Sequence, residues 1–521
     1  IMTDDQGYGD MGAHGNDKIK TPNLDRFAKE SVEFTQFYVC PVCAPTRACL
    51  MTGRYNYRTG AVDTYLGRAM MYTDEVTIAE NLGRAGYRTG IFGKWHLGDN
   101  YPLRSIDQGF QESLVHKGGG IGQPSDPPGN RYFDPILEHN GEDKRFRGYC
   151  TDIFTDATIR FIEKNRDRPF FAYLATNAPH TPLQIHDSYV KPYLDMGLDE
   201  TTAKVYGMVT NIDENMGKLL RRIDELDLAE NTIVIFITDN GPQQARYTAG
   251  LRGRKGSVYE GGIRVPCFIR WPRKLKAGEK IDRIAGHIDI MPTLLDACGA
   301  STPDDVSIDG RSLMPLLEDG AADWPDRTLF FQWHRGDEPE LYRACAARNQ
   351  RYKLVNGEEL YDIENDPGEQ NDIAGEHPDI VAELREQYEN WFKDVSSTRG
   401  YAPPRIYLGT PHENPVILTR QDWRGPEAGW GKESLGYWEV NVARSGDYDV
   451  TFRMYPTESE GTARFKLGGV SLSHELAEGV SHYTFESVPL SAGEGRLEAW
   501  FESNGKRVGV RYVDVKFLRT R

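Results

Sequence analysis

Three short apolar runs in this chain end abruptly in polar residues, and that pattern constrains the fold more than any other feature. Residues 88–92 lead into Lys94 and His96, residues 170–174 into Asn177 and His180, and residues 232–238 into Asp239 and Asn240. Apolar runs without alternation belong to strands buried on both faces, as in parallel sheets covered by helices. Ligands of such sheets bind at the carboxyl ends of the strands, so these polar groups are expected to converge despite their separation in sequence. Amphipathic helices lie between the runs. One opens with Thr21-Pro22 and is predicted to run through Leu24, Phe27, Ala28 and Val32. A second starts at the capping box Thr77-Ile78-Ala79-Glu80 and stops near Gly86. The alternation predicts an α/β fold with a mostly parallel sheet flanked by helices over residues 1–395, of which about 325–395 form a smaller α+β subdomain.

Beyond residue 395 the helical periodicity disappears. Residues 396–411, rich in Pro and Arg, read as a linker, and residues 412–521 as an all-β sandwich resembling a carbohydrate-binding module. Tyr448, Val450, Phe452 and Met454 alternate with polar residues, as do Leu497, Ala499 and Phe501, and Asn504-Gly505 is a hairpin signal before Val508, Val510 and Tyr512. Trp423, Trp430 and Trp438 are the right type to stack on sugars. Trp438, however, alternates with Val440 and Val442 as a core residue does, so packing or shaping of a substrate cleft is the expected role.

With 62 basic and 78 acidic residues the net charge is -16, which argues against general affinity for nucleic acid or anionic membranes. An anionic substrate would need a local cluster of cations. No apolar run approaches the roughly 18–20 residues of a membrane span. Ile1-Met2-Thr3 reads as the end of a strand, so residues upstream, an export signal among them, are expected to have been removed. The cysteines at 40, 43, 49, 150, 267, 298 and 345 are odd in number and irregular in spacing, which disfavours a disulfide framework. Three fall within ten positions, yet no second cluster completes a zinc tetrad.

The most specific segment is Cys43-Ala44-Pro45-Thr46-Arg47-Ala48-Cys49-Leu50-Met51-Thr52-Gly53-Arg54. It reads as a loop entering a helix, with Pro45 in the first turn where no amide hydrogen is needed. Residue 43 then sits among free backbone N–H groups at the positive end of the helix dipole, a place for a tetrahedral anion, and Arg47 adds a permanent cation one turn on. Asp4, Asp5, Asp239 and Asn240 offer only oxygen ligands, which suits Ca²⁺ or Mg²⁺ and disfavours zinc.

The Cys43 segment resembles the Cys-x-Pro-Ser/Thr-Arg signature of the formylglycine-dependent (type I) sulfatases of the alkaline phosphatase superfamily. Other segments follow in the family's order. Thr3-Asp4-Asp5-Gln6-Gly7-Tyr8-Gly9-Asp10 is similar to its first metal-binding turn, and Gly93-Lys94-Trp95-His96-Leu97-Gly98 to its Gly-Lys-Trp-His motif. Ala178-Pro179-His180-Thr181-Pro182 is similar to its Pro-His-x-Pro loop, and Thr238-Asp239-Asn240-Gly241 to its second metal turn. Lys255-Gly256 with Glu260-Gly261-Gly262 is similar to its late lysine motif; Arg252 and Arg254 lie outside it.

The resemblance implies an alkaline-phosphatase-like sheet and a sulfuric ester hydrolase. It implies conversion of Cys43 to formylglycine by a formylglycine-generating enzyme, and Ca²⁺ held by Asp4, Asp5, Asp239, Asn240 and residue 43; the oxygen donors alone admit Mg²⁺ as well. The hydrated aldehyde at position 43 would attack sulfur to give a sulfated enzyme. Arg47, Lys94 and Lys255 would neutralise the sulfate oxygens, His180 with Lys255 would protonate the leaving alcohol, and His96 would take the proton that expels sulfate. A sulfated carbohydrate is the expected partner, with His116, Trp333, His334 and Arg335 as candidate sugar contacts, in an exported protein. Two alternatives stand beside this reading: a phosphonate or phosphate monoester hydrolase of the same superfamily, and a glycan-binding protein with a degenerate enzyme domain. The Lys94/His96 and Lys255 motifs favour sulfate, and the complete motif set argues against degeneracy.

Overall fold

The first strand, Met2–Thr3, lies in the middle of a ten-stranded sheet, paired in parallel with Phe170–Ala175 on one side and Val234–Thr238 on the other. The computed structural model that shows this describes residues 1–319 and 324–521. Arg88–Lys94 pairs in parallel with Phe170–Ala175, and Glu112–His116 with Arg88–Lys94. The antiparallel strands Cys267–Arg270 and Ile136–His139 border this parallel centre. The five strands of this parallel centre therefore end on the same edge, with Thr3, Lys94, His116, Ala175 and Thr238 as their last residues. Each run met a polar residue where the strand stops, because a strand covered on both faces cannot continue into groups that need solvent or partners.

Two apolar cores cover the sheet. One gathers Met2, Ile91, Ala175 and Ile237 with Ala44, Ala48 and Met51 of the Cys43–Thr52 helix. The other gathers Phe92, Leu174 and Phe236 with the helices Cys150–Asn165 and Glu200–Glu225. The capping box at Thr77 forms as expected: Thr77 Oγ1 accepts from Glu80 N–H at 3.1 Å, and Glu80 accepts from Thr77 N–H at 2.7 Å. The earlier helix is shorter than expected. It spans Pro22–Lys29, and Val32 belongs to the strand Val32–Phe34. Thr21 does not cap it with its side chain; its hydroxyl accepts from Gly12 N–H and donates to Asp25 instead. A four-stranded antiparallel sheet, Leu329–Gln332 to Glu359–Asp362, and the helix Pro378–Ser397 build a further core around Trp391 and Tyr388.

The C-terminal part is a sandwich of a six-stranded and a four-stranded sheet. Tyr448, Val450, Phe452, Leu497 and Ala499 face its core, Phe501 is half-buried, and Met454 lies just past its strand. Asn504-Gly505 turns Gly493–Ser503 into Lys506–Gly509. Ile406–Leu408, inside the stretch expected as linker, is a strand paired with Tyr437–Val442, because its apolar residues complete the sandwich core. Trp423 and Trp438 are wholly buried with ring centroids 5.6 Å apart, which removes them as sugar platforms. Trp430 packs edge-on against Tyr65 of the α/β part. Leu66, Met70 and Leu103 from the α/β part enter the sandwich core itself.

Replacing Trp438 by Ala removes a ring from this close-packed core and is expected to cost about 3–5 kcal/mol. Denaturant unfolding followed by the sandwich's own signal checks this; a loss below about 1 kcal/mol would mean that the ring is not a core residue.

Candidate active site

The Cys43–Thr52 helix begins at Cys43, whose side chain is 2 % exposed at the carboxyl edge of the sheet. Val42 precedes it in an extended conformation and supplies no side-chain cap, so the first-turn amides lack the usual hydroxyl or carboxylate acceptor. Arg47, one turn along and fully buried, donates from Nη1 to the Lys94 carbonyl at 2.9 Å and from Nη2 to Asp239 Oδ2 at 2.8 Å. Lys94 Nζ lies 2.7 Å from Asp4 Oδ2, and Lys255 Nζ 2.6 Å from Asp5 Oδ1. Three cations and three carboxylates thus meet around residue 43, contributed by one helix, three strand ends and one loop.

The charge states follow from this packing. Burial pushes the Asp5 carboxyl up, but Lys255 and His180 outweigh it and hold the group well below the usual carboxylate range. At Asp239 burial and the neighbouring Asp4 win over Arg47 and Lys94, raising it to about 6. Burial alone would loosen the protons of Arg47 and Lys255, yet the carboxylates around them fix both as permanent cations. Burial raises the Cys43 thiol against the pull of Lys94 and Lys255, so an unmodified cysteine here is a poor nucleophile.

Asp4 Oδ1, Asp5 Oδ2 and Asn240 Oδ1 are buried without a hydrogen-bond partner among the described residues. Ligand atoms of Asp4, Cys43 and Asp239 lie within 4.8 Å of one another, as do those of Asp4, Asp5 and His180. Orphaned, oxygen-rich donors of this kind fit a hard divalent cation.

Two histidines flank the cluster. His180 donates from Nδ1 to its neighbour's carbonyl, Thr181 O, at 2.6 Å, and its Nε2 stands 3.8 Å from Asp5 Oδ2. Burial and the charges of Lys255 and Lys94 outweigh Asp5 and lower its pKa to about 3. His96 donates from Nε2 to Thr64 O at 2.8 Å, while its Nδ1 is buried and unpartnered among the described residues. Burial, then Lys94, keep this ring neutral. Gly119 and Gly120 run across both rings: a Cβ on Gly119 would come within 2.7 Å of His96, and one on Gly120 within 2.8 Å of His180. The glycine run next to His116 is thus explained by close approach of backbone to imidazole.

The remaining candidates divide. His116 is paired in register with Lys94, fully buried, with Nε2 unpartnered. Trp333 stacks against Gly256, beside Lys255, and donates from Nε1 to Asp63 at 3.1 Å; Arg335 donates to Asp63 at 2.7 Å and to Thr64 Oγ1 at 2.9 Å. His334 instead closes its own loop, accepting from Glu340 N–H and donating to Arg335 O, and is not brought to the cluster. Arg252 is a structural cation, its guanidinium 3.8 Å over the Tyr259 ring and bonded to Tyr361. Cys40, which precedes the helix, and Cys49, within it, have sulfurs 3.8 Å apart, with Cys40 Sγ 3.1 Å from His287 Nε2. Gln123, whose side chain comes close to Gly119 and Gly120 beside both imidazoles, has no motif and no periodicity to announce it.

An alkaline-phosphatase-like sheet that carries this constellation on its carboxyl edge defines a class of protein, the hydrolases of tetrahedral oxyanion esters. Comparison with known proteins narrows it. The Sulfatase family profile matches residues 1–300, and that of the N-sulphoglucosamine sulphohydrolase C-terminal region matches 254–394. Arylsulfatase A of Homo sapiens is 32% identical over 456 residues, covering 74% of this chain and 85% of that protein. The N-acetylglucosamine-6-O-sulfatase of Bacteroides thetaiotaomicron is 26% identical, covering 76% of this chain and 88% of its own. The solved structure of Ps i-CgsB in complex with k-i-k-neocarrahexaose is 30% identical, with a TM-score of 0.69 over 77% of this chain and 92% of that one. The chain belongs to the sulfatase family and is an enzyme that hydrolyses sulfate esters.

Because Arg47 bonds a carbonyl and a carboxylate through separate arms of one planar fork, lysine cannot replace it. Arg47→Lys is expected to lower kcat/KM by roughly 10²-fold or more on any sulfate ester. Steady-state kinetics on a variant with unchanged circular dichroism checks this; activity within threefold of the parent would exclude a role for the fork.

Proposed function

We propose that this sulfatase removes sulfate from a sulfated carbohydrate, with residue 43 acting as formylglycine. The observation that carries the reading is the grouping of Cys43 with Asp4 and Asp239 within 4.8 Å, inside a ring of Arg47, Lys94 and Lys255. Hydrated formylglycine at this position supplies an oxygen nucleophile and a second hydroxyl through which sulfate can be expelled. A Ca²⁺ ion, or Mg²⁺ of the same hard type, held by Asp4, Asp5, Asp239 and Asn240, supplies Lewis-acid neutralisation of the sulfate charge. The carbohydrate substrate is supported by two relatives, one named as an N-acetylglucosamine-6-O-sulfatase and one solved with a neocarrahexaose.

The chain's own residues divide the remaining work. Arg47 and Lys94, both buried, and the partly exposed Lys255 orient the ester and neutralise its oxygens. His180 gives a proton to the departing alcohol. Its ring is neutral in this structure, and an anionic ester arriving beside it favours the protonated form, so the proton is taken up with substrate. His96 has its Nε2–H committed to Thr64 O, which leaves the Nδ1 lone pair to accept the proton when sulfate leaves. Trp333 and Arg335, with Gln123, are the candidates for contact with a sugar, while His116 is buried beneath them as a neighbour of Lys94. Maturation by a formylglycine-generating enzyme and export from the cytoplasm belong to the same reading. Among the described residues no helix is long and apolar enough to cross a membrane.

Mass analysis of the peptide spanning residue 43, alongside sulfate release from an aryl sulfate and a panel of sulfated glycans, tests the proposal. Formylglycine and glycan desulfation are expected, with protein bearing a thiol at 43 nearly inactive. Many turnovers by the thiol form would refute the nucleophile, and cleavage of aryl phosphonates but no sulfates would move the enzyme to the neighbouring branch of the superfamily. Calorimetric titration with Ca²⁺ is expected to show one site that Asp5→Ala abolishes; undiminished binding by that variant would remove Asp5 from the ligand set.

A further inference from the structure

The carbonyl that orients His96 is held from the other side by the sandwich. Thr64 O accepts from His96 Nε2 at 2.8 Å and also from Gln421 Nε2 at 2.9 Å. A carbonyl oxygen has two lone pairs, and here one goes to the proposed base and the other to a side chain 357 positions further along the chain. Gln421 is itself fixed: it is buried, its backbone N–H donates to Thr419 Oγ1 at 3.2 Å, and its backbone carbonyl accepts from Gly67 N–H at 3.0 Å. The loop around Thr64 is fastened to the sandwich at further points. Arg424 donates to Leu66 O at 3.3 Å, Trp430 meets Tyr65 edge to face at 5.3 Å, and a Cβ on Gly67 would meet Arg424 at 2.9 Å.

His96 needs this support. Its backbone sits at φ 62°, a region that a non-glycine residue adopts only when its surroundings over-determine it. Its neutral ring has two tautomers, and only the one protonated at Nε2 leaves Nδ1 free as a base. The Thr64 carbonyl selects that tautomer, and the carbonyl is the one group that hydrogen-bonds the ring among the described residues. Asp63, its neighbour, is tied to Arg335 and Trp333, and Thr64 donates from its N–H to Asp63 Oδ1 at 2.7 Å; these bonds hold the residue, while its carbonyl oxygen is met from the sandwich by Gln421.

We propose that Gln421 is a positioning residue of the active site: the appended sandwich, through the Thr64 carbonyl, sets the tautomer and orientation of His96. The inference rests on the reading of His96 as the base for sulfate release. Because that step follows departure of the alcohol, loosening His96 lowers kcat and leaves kcat/KM, which reports events up to the first irreversible step, nearly unchanged. A general defect of the fold would lower both.

The test uses the full-length, formylglycine-bearing enzyme with Gln421→Ala, Gln421→Glu and His96→Asn in parallel. Gln421→Ala is expected to lower kcat by roughly 10- to 100-fold with kcat/KM within threefold, and to show a burst of released alcohol. Gln421→Glu is nearly isosteric and covers the case in which the alanine variant fails to fold. Only its protonated carboxyl can donate to Thr64 O, so its kcat relative to the parent at the same pH should rise as pH falls. ¹⁵N shifts of His96 should move toward a mixture of tautomers in both variants. If His96→Asn lowers kcat while both Gln421 variants stay within twofold of the parent, the inference is wrong and the role of His96 stands. If the Gln421 variants lose kcat and kcat/KM together, with the His96 tautomer unchanged, Gln421 serves the fold alone. If His96→Asn leaves kcat intact, the base is elsewhere and this inference falls with that reading.

Discussion

The buried ion pairs Lys94–Asp4 and Arg47–Asp239 are the constraint on which the catalytic edge depends. None of the four side chains has meaningful contact with water. A charge stranded in such a place costs several kcal/mol, and removing one partner of a buried pair commonly costs about 3–5 kcal/mol. The four residues come from the first strand, the Arg88–Lys94 strand, the turn after Val234–Thr238 and the Cys43–Thr52 helix. Each pair therefore ties two elements that are distant in sequence, and satisfying all four charges places the helix start over the carboxyl ends of three strands. The geometry around residue 43 is in this sense a by-product of neutralising charge. The same economy explains why the site tolerates so many cations in a chain of net charge -16: they are answered locally, one carboxylate at a time.

Much of this was legible beforehand, for reasons that can be named. The central strands announced themselves because a strand buried on both faces must stop where polar residues begin, and Lys94, Asn177 and Asp239 mark those stops to within a few residues. The start of the Val234–Thr238 strand, two residues later than expected, was less sharp because Thr232 and Ile233 still read as strand formers. Residues of the cluster were found by family motif, since Asp4-Asp5 in isolation looks like any polar turn. The contacts that escaped are those made to backbone. Thr64 contributes a carbonyl, which every residue has, and Gln421 contributes an amide on a strand-flanking turn; neither leaves a trace in composition or periodicity. His334 differs from its neighbours for a local reason: its ring is taken up by Glu340 N–H and the Arg335 carbonyl, while Trp333 and Arg335 bond Asp63.

The packing of the sandwich argues against a detachable accessory. Leu66, Met70 and Leu103 lie within its apolar core, Asn100 and Tyr101 bond Glu413, and Tyr512 donates to Asp126 O at 3.1 Å. Trp423 and Trp438 are spent on packing. A sugar-binding role would have to use other residues, and the contacts that the sandwich does make lead toward the loop beside His96.

The central position of Met2–Thr3 carries a consequence for synthesis. The first strand is not flanked on both sides until Phe170–Ala175 and Val234–Thr238 both exist, so the emerging chain cannot close its sheet until roughly 200 residues after Cys43 have been made. At translation rates of about 5–20 residues per second this is a delay of roughly 10–40 s. In the folded protein Cys43 is 2 % exposed, set at the floor of the site where a modifying enzyme has little of it to grasp. On the formylglycine reading proposed above, the strand order works as a clock: it leaves this side chain open to a modifying enzyme for tens of seconds before the fold closes round it.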